Sequence, residues 1–169
     1  FPIIDKENKT RNGFISPYLV MKEVSFIAKR NDIVIPCSSG GVFTAFKQSF
    51  TPKLGQRIAS NKGLASMGYG LSAAIGAAFS NNKKRVIHFE GDGGFSQNIQ
   101  EIGTVILNKL NIKTFIFDDS GYASIRMTQK NYFGGTYMGC DIQSGLGMPS
   151  WEKLFDAWGI KAYKLSKDF

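Results

Sequence analysis

The chain has 169 residues, 43% of them hydrophobic and 20% charged, which is the composition of one ordinary globular domain with its own core. The formal net charge of +8 comes from 21 Lys and Arg against 13 Asp and Glu, but the basic residues stand singly or in short groups such as 83–85 (KKR). Because no basic stripe, base-stacking motif or zinc spacing accompanies them, we expect a solvated basic surface with a small anionic ligand, and no nucleic-acid partner.

The cysteine count argues against a disulfide-stabilised protein, and the hydropathy of the chain argues against a membrane protein. Cys37 and Cys140 are too few for a disulfide framework and form no CxxC motif, so we interpret both as inert thiols and expect a cytoplasmic protein. No run approaches the roughly 18 uncharged apolar residues of a membrane span, so we expect no membrane partner.

A helix is predicted to begin at Ser16-Pro17, where an N-cap hydroxyl is followed by proline in the first turn. Apolar residues at helical spacing continue it as far as Asp32. The short apolar run 33–36 then predicts a buried strand, and the polar residues 38–41 predict a loop after it.

The middle of the chain predicts a helix, a strand, a glycine loop and a second helix. Residues 67–80 are rich in Gly and Ala, which lets a helix approach a sheet closely. Residues 85–89 predict a strand that is broken sharply by 91–94 (GDGG). The helix that follows has four apolar residues on one face, namely Phe95, Ile99, Ile102 and Ile106.

A second buried strand is predicted at 113–117, and it ends on the polar residues 118–121 (DDSG). Residues 132–147 are glycine-rich and aperiodic, which predicts a long loop over one end of the sheet. A helical stripe then begins at Trp151 and is closed by Gly159, and the alternation over 160–165 predicts a last strand.

Strands that alternate with helices through short connections predict a mostly parallel sheet with helices on both faces, which is a three-layer α/β sandwich. In such sheets ligands bind beyond the carboxyl ends of the strands. The loops 38–41, 91–94 and 118–121 all follow strands, so we expect them to converge there.

Two of these loops carry the residue types of a metal and phosphate site. Residues 91–94 offer main-chain N–H groups at the start of a helix, where the dipole and unpaired donors favour phosphate. Asp92 would repel phosphate unless a divalent cation lies between them. Mg²⁺ commonly bridges one or two carboxylates to phosphate oxygens, and Asp119 offers a second carboxylate on the neighbouring loop.

Simpler interpretations exist for each of these residues. Gly-Asp-Gly is common in turns, so 91–94 or 118–121 alone would be interpreted as a solvated turn, and only their shared position favours a site. His88 is interpreted as a core or supporting histidine without a catalytic role, and Met67 by default as a core residue. A dinucleotide site of the form G-x-G-x-x-G would need a third glycine where the chain has Ser96.

The combined motifs resemble a known family. Residues 91–93 (GDG), the spacer 94–117 and the pair 118–119 (DD) resemble the thiamine diphosphate signature of GDG, a spacer and Asn-Asn. The segment 63–77 (GLASMGYGLSAAIGA) is similar to the run before that signature in acetolactate synthase, pyruvate oxidase and benzoylformate decarboxylase, and 121–126 (GYASIR) agrees. The chain thus resembles the C-terminal cofactor-binding domain of an acetolactate synthase-like enzyme.

This resemblance implies thiamine diphosphate and Mg²⁺ as cofactors. The metal ligands would be Asp92, Asp119 and the main-chain oxygen of Gly121. The cofactor-binding residues that it implies are Gly40, Gly41, Ala65, Met67, Gly91, Asp92, Gly93, Gly94, Asp119, Gly121, Tyr122 and Ala123.

The resemblance also implies individual roles. Gly93 and Gly94 would donate to the diphosphate, and the carbonyl of Ala65 would accept from the aminopyrimidine. Met67 would lie under the thiazolium ring and hold the cofactor in a bent shape, while Ile125 would face its substrate side. Met67 and Ile125 are therefore the residues expected on the catalytic side.

The sequence departs from the family pattern at two points. Asp119 stands where the family has its second Asn, so a bound metal would face two carboxylates. Gly40-Gly41 stand where acetolactate synthases usually have His-Gln, so main-chain contacts to the diphosphate could be kept but side-chain contacts could not.

The implied activity is decarboxylation of a 2-keto acid, with pyruvate expected, followed by carboligation, the cofactor supplying the electron sink. Residues 1–12 would be a linker from a preceding domain, and 13–169 the cofactor domain of a larger enzyme. In the family the glutamate that activates the cofactor belongs to another domain across a subunit interface. We therefore expect this chain alone to bind cofactor without turnover, and the enzyme to be a homodimer or homotetramer, with FAD possible in a missing middle domain.

Two alternatives stay open at this point. The chain could be a non-catalytic diphosphate-binding or interaction module, or belong to a pyruvate oxidase or 2-keto acid decarboxylase of the same fold. The stretch 122–135 also resembles homologues used in bacterial surface-sugar synthesis, so the acceptor substrate stays open as well.

Overall fold

A four-stranded parallel sheet lies at the centre of the computed structural model, which describes residues 10, 13–37, 39–80 and 84–165. Ser38, Lys83 and nearly all of the predicted linker 1–12 lie outside the described residues. In chain order the elements are α1 (Pro17–Ile27), β1 (Ile33–Ile35), α2 (Gly40–Ser49), β2 (Arg57–Ile58), α3 (Tyr69–Ser80), β3 (Val86–Gly91), α4 (Asp92–Ser96), a 3₁₀ turn (Ile99–Glu101), α5 (Ile102–Leu107), β4 (Ile112–Phe117), α6 (Ala123–Tyr132) and α7 (Trp151–Ala157).

The register of the sheet places the functional loops at one level. The strand order is β2-β1-β3-β4, and every neighbouring pair is parallel. Gly91, the last residue of β3, pairs with Phe117, the last residue of β4. The loops that follow these two strands therefore start side by side at the carboxyl edge of the sheet.

Helices cover both faces of the sheet, as predicted. On one face Ile87 and Phe89 of β3 pack with residues of α1 and α2, including Phe46. On the other face Val86 packs with Ala74 of α3, and a further cluster joins α3 to α5 and α7. This arrangement is a three-layer α/β sandwich, because successive residues of a strand point to opposite faces.

The Gly- and Ala-rich helix α3 packs as closely on the sheet as its composition predicts. Ala74 is completely buried. A methyl group at Gly70 would lie only 1.9 Å from Oε2 of Glu90 on β3 and 2.6 Å from Nε2 of His88. A side chain at position 70 therefore has no room between α3 and β3.

Two predicted helices are shorter or more broken than expected. The first ends at Ile27, because Ala28 is extended and Asp32 turns its buried carboxylate back to the main-chain N–H of Lys29 and to Arg85. The loop predicted at 91–94 was wrong, since Gly91 ends β3 and α4 begins at Asp92, and the helix predicted after it is divided into α4, a 3₁₀ turn and α5. The break falls at Asn98, whose amide reaches across to Ser72 on α3.

The secondary structure predicted for two other segments was wrong. Gly40 and Gly41 do not lie in a loop but begin α2, whose Phe43 and Phe46 are buried. Residues 160–165 form no strand, since they pair with none of the strands in the described part of the chain. Within the described residues no helix is long and apolar enough to cross a membrane.

Candidate functional site

Asp92 links the loops after β3 and β4. It is the first residue of α4 and is 1% exposed. Its Oδ1 accepts from the main-chain N–H of Gly93 at 2.8 Å, and its Oδ2 accepts from the main-chain N–H of Gly121 at 2.9 Å. Because each carboxylate oxygen has a second lone pair, both oxygens stay capable of binding a cation.

Asp119 places a second negative charge beside Asp92. Burial and then the charge of Asp119 raise the pKa of Asp92 from 3.8 to about 6, although the N–H groups of Gly121 and Gly93 act in the opposite direction. Burial also raises the pKa of Asp119, against a hydrogen bond from Arg126. Two carboxylates that resist ionisation together form a site where a divalent cation would be favourable.

Close packing explains Gly93 and Gly94, which lie in α4 directly after β3. A methyl group at Gly93 would lie 2.3 Å from the ring of Tyr122. A methyl group at Gly94 would lie 2.7 Å from Oε1 of Glu90. The hydroxyl of Tyr122 in turn accepts a hydrogen bond from Nε2 of Gln97 at 2.8 Å, which joins the two loops a second time.

The start of α2 reaches the same region. A methyl group at Gly40 would lie 3.6 Å from Oγ of Ser124, near the start of α6. Gly40, Gly41 and Ala65 line one cleft of about 420 Å³, together with Lys62 and Ser124. The structure thus brings the predicted residues of three loops to one edge of the sheet.

Two predicted residues are more exposed than core residues would be. Met67 is 39% exposed, so its default interpretation as a core methionine was wrong, and Ile125 is 40% exposed. Ala65, two residues before Met67, has a φ of 52°, which is unusual for a residue with a side chain. An apolar ligand face would bury surface that both side chains leave open.

The donor set of the site fits Mg²⁺. Within the described residues no group of three or more His, Cys, Asp and Glu could hold a metal ion. The two carboxylates and the main-chain oxygen of Gly121 would supply only part of an octahedral shell. A diphosphate and water could supply the rest.

One prediction meets a competing contact. The main-chain N–H of Gly93, expected to donate to a diphosphate, donates here to Oδ1 of Asp92. The N–H of Gly121 is also held by Asp92. These bonds fix the direction in which the carboxylate of Asp92 points, so in this structure the N–H of Gly93 orients Asp92.

Sequence reasoning recognised His88 as a core residue but missed its partner Glu90. His88 is fully buried, and its Nε2 lies 2.9 Å from Oε2 of Glu90, which is 2% exposed. The other ring nitrogen lies 3.3 Å from Oγ1 of Thr114. The signal was available, because a charged residue within the apolar run before Gly91 requires a partner when it is buried.

The fold and the site define an open α/β domain with acidic and glycine-rich segments at the carboxyl ends of adjacent strands, which is the edge where such sheets bind ligands. Residues 39–168 match the family model described as "Thiamine pyrophosphate enzyme, C-terminal TPP binding domain". The chain belongs to this family and is the C-terminal thiamine diphosphate-binding domain of an acetolactate synthase-like protein.

Its curated relatives agree with this assignment. The acetolactate synthase large subunit of Porphyra purpurea is 38% identical over 107 residues, covering 63% of this chain and 18% of that protein. The large subunit of Cyanidium caldarium is 31% identical over 154 residues, covering 90% of this chain and 26% of that protein. The chain therefore spans about a fifth to a quarter of the length of these relatives.

A solved structure supports the fold. The thiamine diphosphate-dependent 4-hydroxybenzoylformate decarboxylase of Rhodococcus jostii RHA1 superposes with a TM-score of 0.79 at 19% sequence identity. The match covers 94% of this chain and 29% of that chain. The predicted three-layer fold is thereby confirmed.

Proposed function

We propose that this domain binds the diphosphate of thiamine diphosphate through Mg²⁺ and serves a 2-keto acid decarboxylase or carboligase that acts on pyruvate. The observation that carries the proposal is the meeting of Asp92 and Asp119 at the ends of adjacent strands, with Gly121 of one loop bonded to Asp92 of the other. The family assignment supplies the cofactor.

The residues of the chain would divide the binding of the cofactor. Asp92, Asp119 and the main-chain oxygen of Gly121 would hold Mg²⁺. Gly94, which packs so closely on Glu90 that no side chain fits there, would donate its main-chain N–H to the diphosphate. When bound, thiamine diphosphate supplies the electron sink that a 2-keto acid needs to lose carbon dioxide.

The apolar part of the site would orient the rest of the cofactor. Met67 and Ile125 have large exposed fractions and would pack against its rings. The carbonyl of Ala65, in the strained turn before Met67, would accept a hydrogen bond from the aminopyrimidine. These contacts would exclude water from the reacting face, which strengthens every polar interaction there.

Turnover would need more than this chain. We propose that the activating carboxylate and a flavin site, if one is used, belong to other domains, and that a homodimer or homotetramer brings the domains together. The relatives named above are about four to six times as long as the matched segments, which supports additional domains in the enzyme.

Calorimetry tests the proposal. Thiamine diphosphate should bind the wild-type chain in the presence of Mg²⁺, and binding should be lost with EDTA. Asp92→Ala should abolish binding, whereas the matched control Asp156→Ala, on the exposed side of α7, should leave it unchanged. Binding that ignores Mg²⁺ or survives Asp92→Ala would refute the metal-bridged site.

An activity assay on the full-length protein distinguishes an enzyme from a non-catalytic module. The protein expressed from the full reading frame should release carbon dioxide from pyruvate in the presence of thiamine diphosphate and Mg²⁺. The rate of release should change when 2-keto acid or aldehyde acceptors are added. Tight cofactor binding without carbon dioxide release from any 2-keto acid would favour the binding module.

A further inference from the structure

Arg126 on α6 holds Asp119 through its guanidinium group. Its Nη2 donates to Oδ1 of Asp119 at 2.7 Å and to the main-chain oxygen of Asp119 at 2.9 Å. Its Nη1 donates to the main-chain oxygen of Cys140 at 3.2 Å. One guanidinium thus joins the loop after β4 to the loop that contains Cys140.

The position of Arg126 is fixed by neighbours as well as by Asp119. The oxygen of Cys140 also accepts from the main-chain N–H of Tyr122 at 2.8 Å. A methyl group at Gly121 would lie 2.2 Å from that oxygen and 2.9 Å from Nη1 of Arg126, so only glycine fits between them. Exposed ion pairs between freely moving side chains contribute little, but this planar group is held by acceptors from two loops.

This arrangement changes the charge that the site presents. Asp92 and Asp119 are both carboxylates, and Arg126 contributes the positive charge in direct contact with Asp119. We propose that Arg126 is a positioning residue that neutralises Asp119, so that the two aspartates together present one net negative charge to a divalent cation and its diphosphate. The inference rests on the function proposed above.

The proposal gives opposite predictions for the metal and for the diphosphate. Without Arg126, two uncompensated carboxylates would attract the cation more strongly but repel the anionic diphosphate. Without the carboxylate of Asp119, the guanidinium of Arg126 would stand unpaired beside the cation and repel it. Asp118, which acts on both aspartates, and Asp141, which interacts with Arg126, are kept in every variant.

The test compares Asp119→Asn, Arg126→Gln and the double variant by calorimetry on the full chain. One series measures the Mg²⁺ concentration that gives half-maximal binding at fixed thiamine diphosphate, and a second measures the affinity for thiamine diphosphate at saturating Mg²⁺. Arg126→Gln should lower the half-maximal Mg²⁺ concentration by up to about tenfold and lower the affinity for thiamine diphosphate by a similar factor. Asp119→Asn should raise the Mg²⁺ midpoint by about tenfold.

The double variant is the decisive measurement, because it removes both charges. Its Mg²⁺ midpoint should return to within about threefold of the wild-type value. A double variant no better than Asp119→Asn would overturn the inference, and so would an Arg126→Gln variant in which metal and cofactor binding both weaken. The second result would mean that Arg126 only supports the loop structure.

The wild-type chain separates this inference from the function on which it rests. If it binds no thiamine diphosphate at any Mg²⁺ concentration, the proposed function fails and the inference fails with it. If it binds and Arg126→Gln leaves the Mg²⁺ midpoint unchanged, only the inference fails.

Discussion

Replacing Gly70 by alanine should destabilise the domain strongly, although alanine is normally the better helix former. The new methyl group would lie 1.9 Å from Oε2 of Glu90 and 2.6 Å from Nε2 of His88. The carboxylate of Glu90 cannot retreat easily, because Gly94 packs against its other side. The substitution must therefore separate Glu90 from His88 or push α3 away from the sheet.

The magnitude follows from the buried pair. Overpacking a filled core costs about 1–3 kcal/mol and leaving a buried polar group without its hydrogen-bond partner costs about 1–3 kcal/mol, whereas alanine at a helical position returns at most about 1 kcal/mol. We expect the free energy of unfolding to fall by about 2–4 kcal/mol. Gly76 lies on the same helix with nothing within 4 Å of its missing methyl group, so Gly76→Ala should stabilise the domain by about 0.5–1 kcal/mol.

Urea unfolding of the two variants measures the difference, and the Glu90→Ala background tests its cause. With the carboxylate gone, only the contact with Nε2 of His88 remains, so Gly70→Ala should cost less in the Glu90→Ala background than in the wild type, by about 1 kcal/mol or more. If Gly70→Ala were as stable as the wild type, or cost the same in both backgrounds, the close packing of Gly70 on Glu90 would not be what fixes α3.

Two further measurements examine the site itself. The pKa of Asp92 is raised from 3.8 to about 6 in the folded protein. The free energy of unfolding is therefore highest below the pKa of the unfolded state, and it should fall by about 3 kcal/mol as the pH rises from about 4 to about 7 in EDTA. Urea unfolding across that range should show the loss, Asp92→Asn should flatten it, and a loss unchanged in Asp92→Asn would contradict the assignment. Gly93→Ala should displace Tyr122, lower the unfolding free energy by about 1–3 kcal/mol and weaken cofactor binding, whereas Gly147→Ala, with nothing within 4 Å, should stay within about 0.5 kcal/mol of wild type.

The layered fold could be predicted because its local signals were strong. The apolar runs before Gly91 and Asp118 could only be buried strands, and the helices between them required parallel pairing. The polar residues after these strands then had to share one edge of the sheet. The same pattern predicts that Asp92 and Asp119 lie together, and their roles as ligands stay predictions.

Other elements depended on contacts that the sequence does not reveal. The glycines at 40 and 41 are typical of a loop, yet Gly40 adopts a φ of 73° at the start of α2, and the burial of Phe43 and Phe46 stabilises the helix beyond it. The alternation over 160–165 is typical of a strand, but a strand needs a neighbour, and alternation cannot supply one.

The site residues that sequence reasoning missed act through other residues. Arg126 was noticed only as part of a motif, because nothing in its spacing indicates that it bonds Asp119 and the carbonyl of Cys140. Glu90 carries no motif of its own, and only its contact with the buried His88 reveals its role. Both become visible only when the distances between side chains are known.

The segments that follow β3 and β4 bring Asp92 and Asp119 together in partly buried positions, where their charged forms are unfavourable. Asp92 is buried beside a second carboxylate, and burial and that neighbouring charge raise its pKa. The N–H groups of Gly93 and Gly121 offset part of that rise and also fix the direction in which the carboxylate points. A cation that replaced the proton on Asp92 would stabilise the folded state by binding only to it. Mg²⁺ should therefore increase the unfolding free energy most above pH 6, where the unoccupied site is least favourable, and an equal increase at pH 4.5 would mean that the ion binds elsewhere.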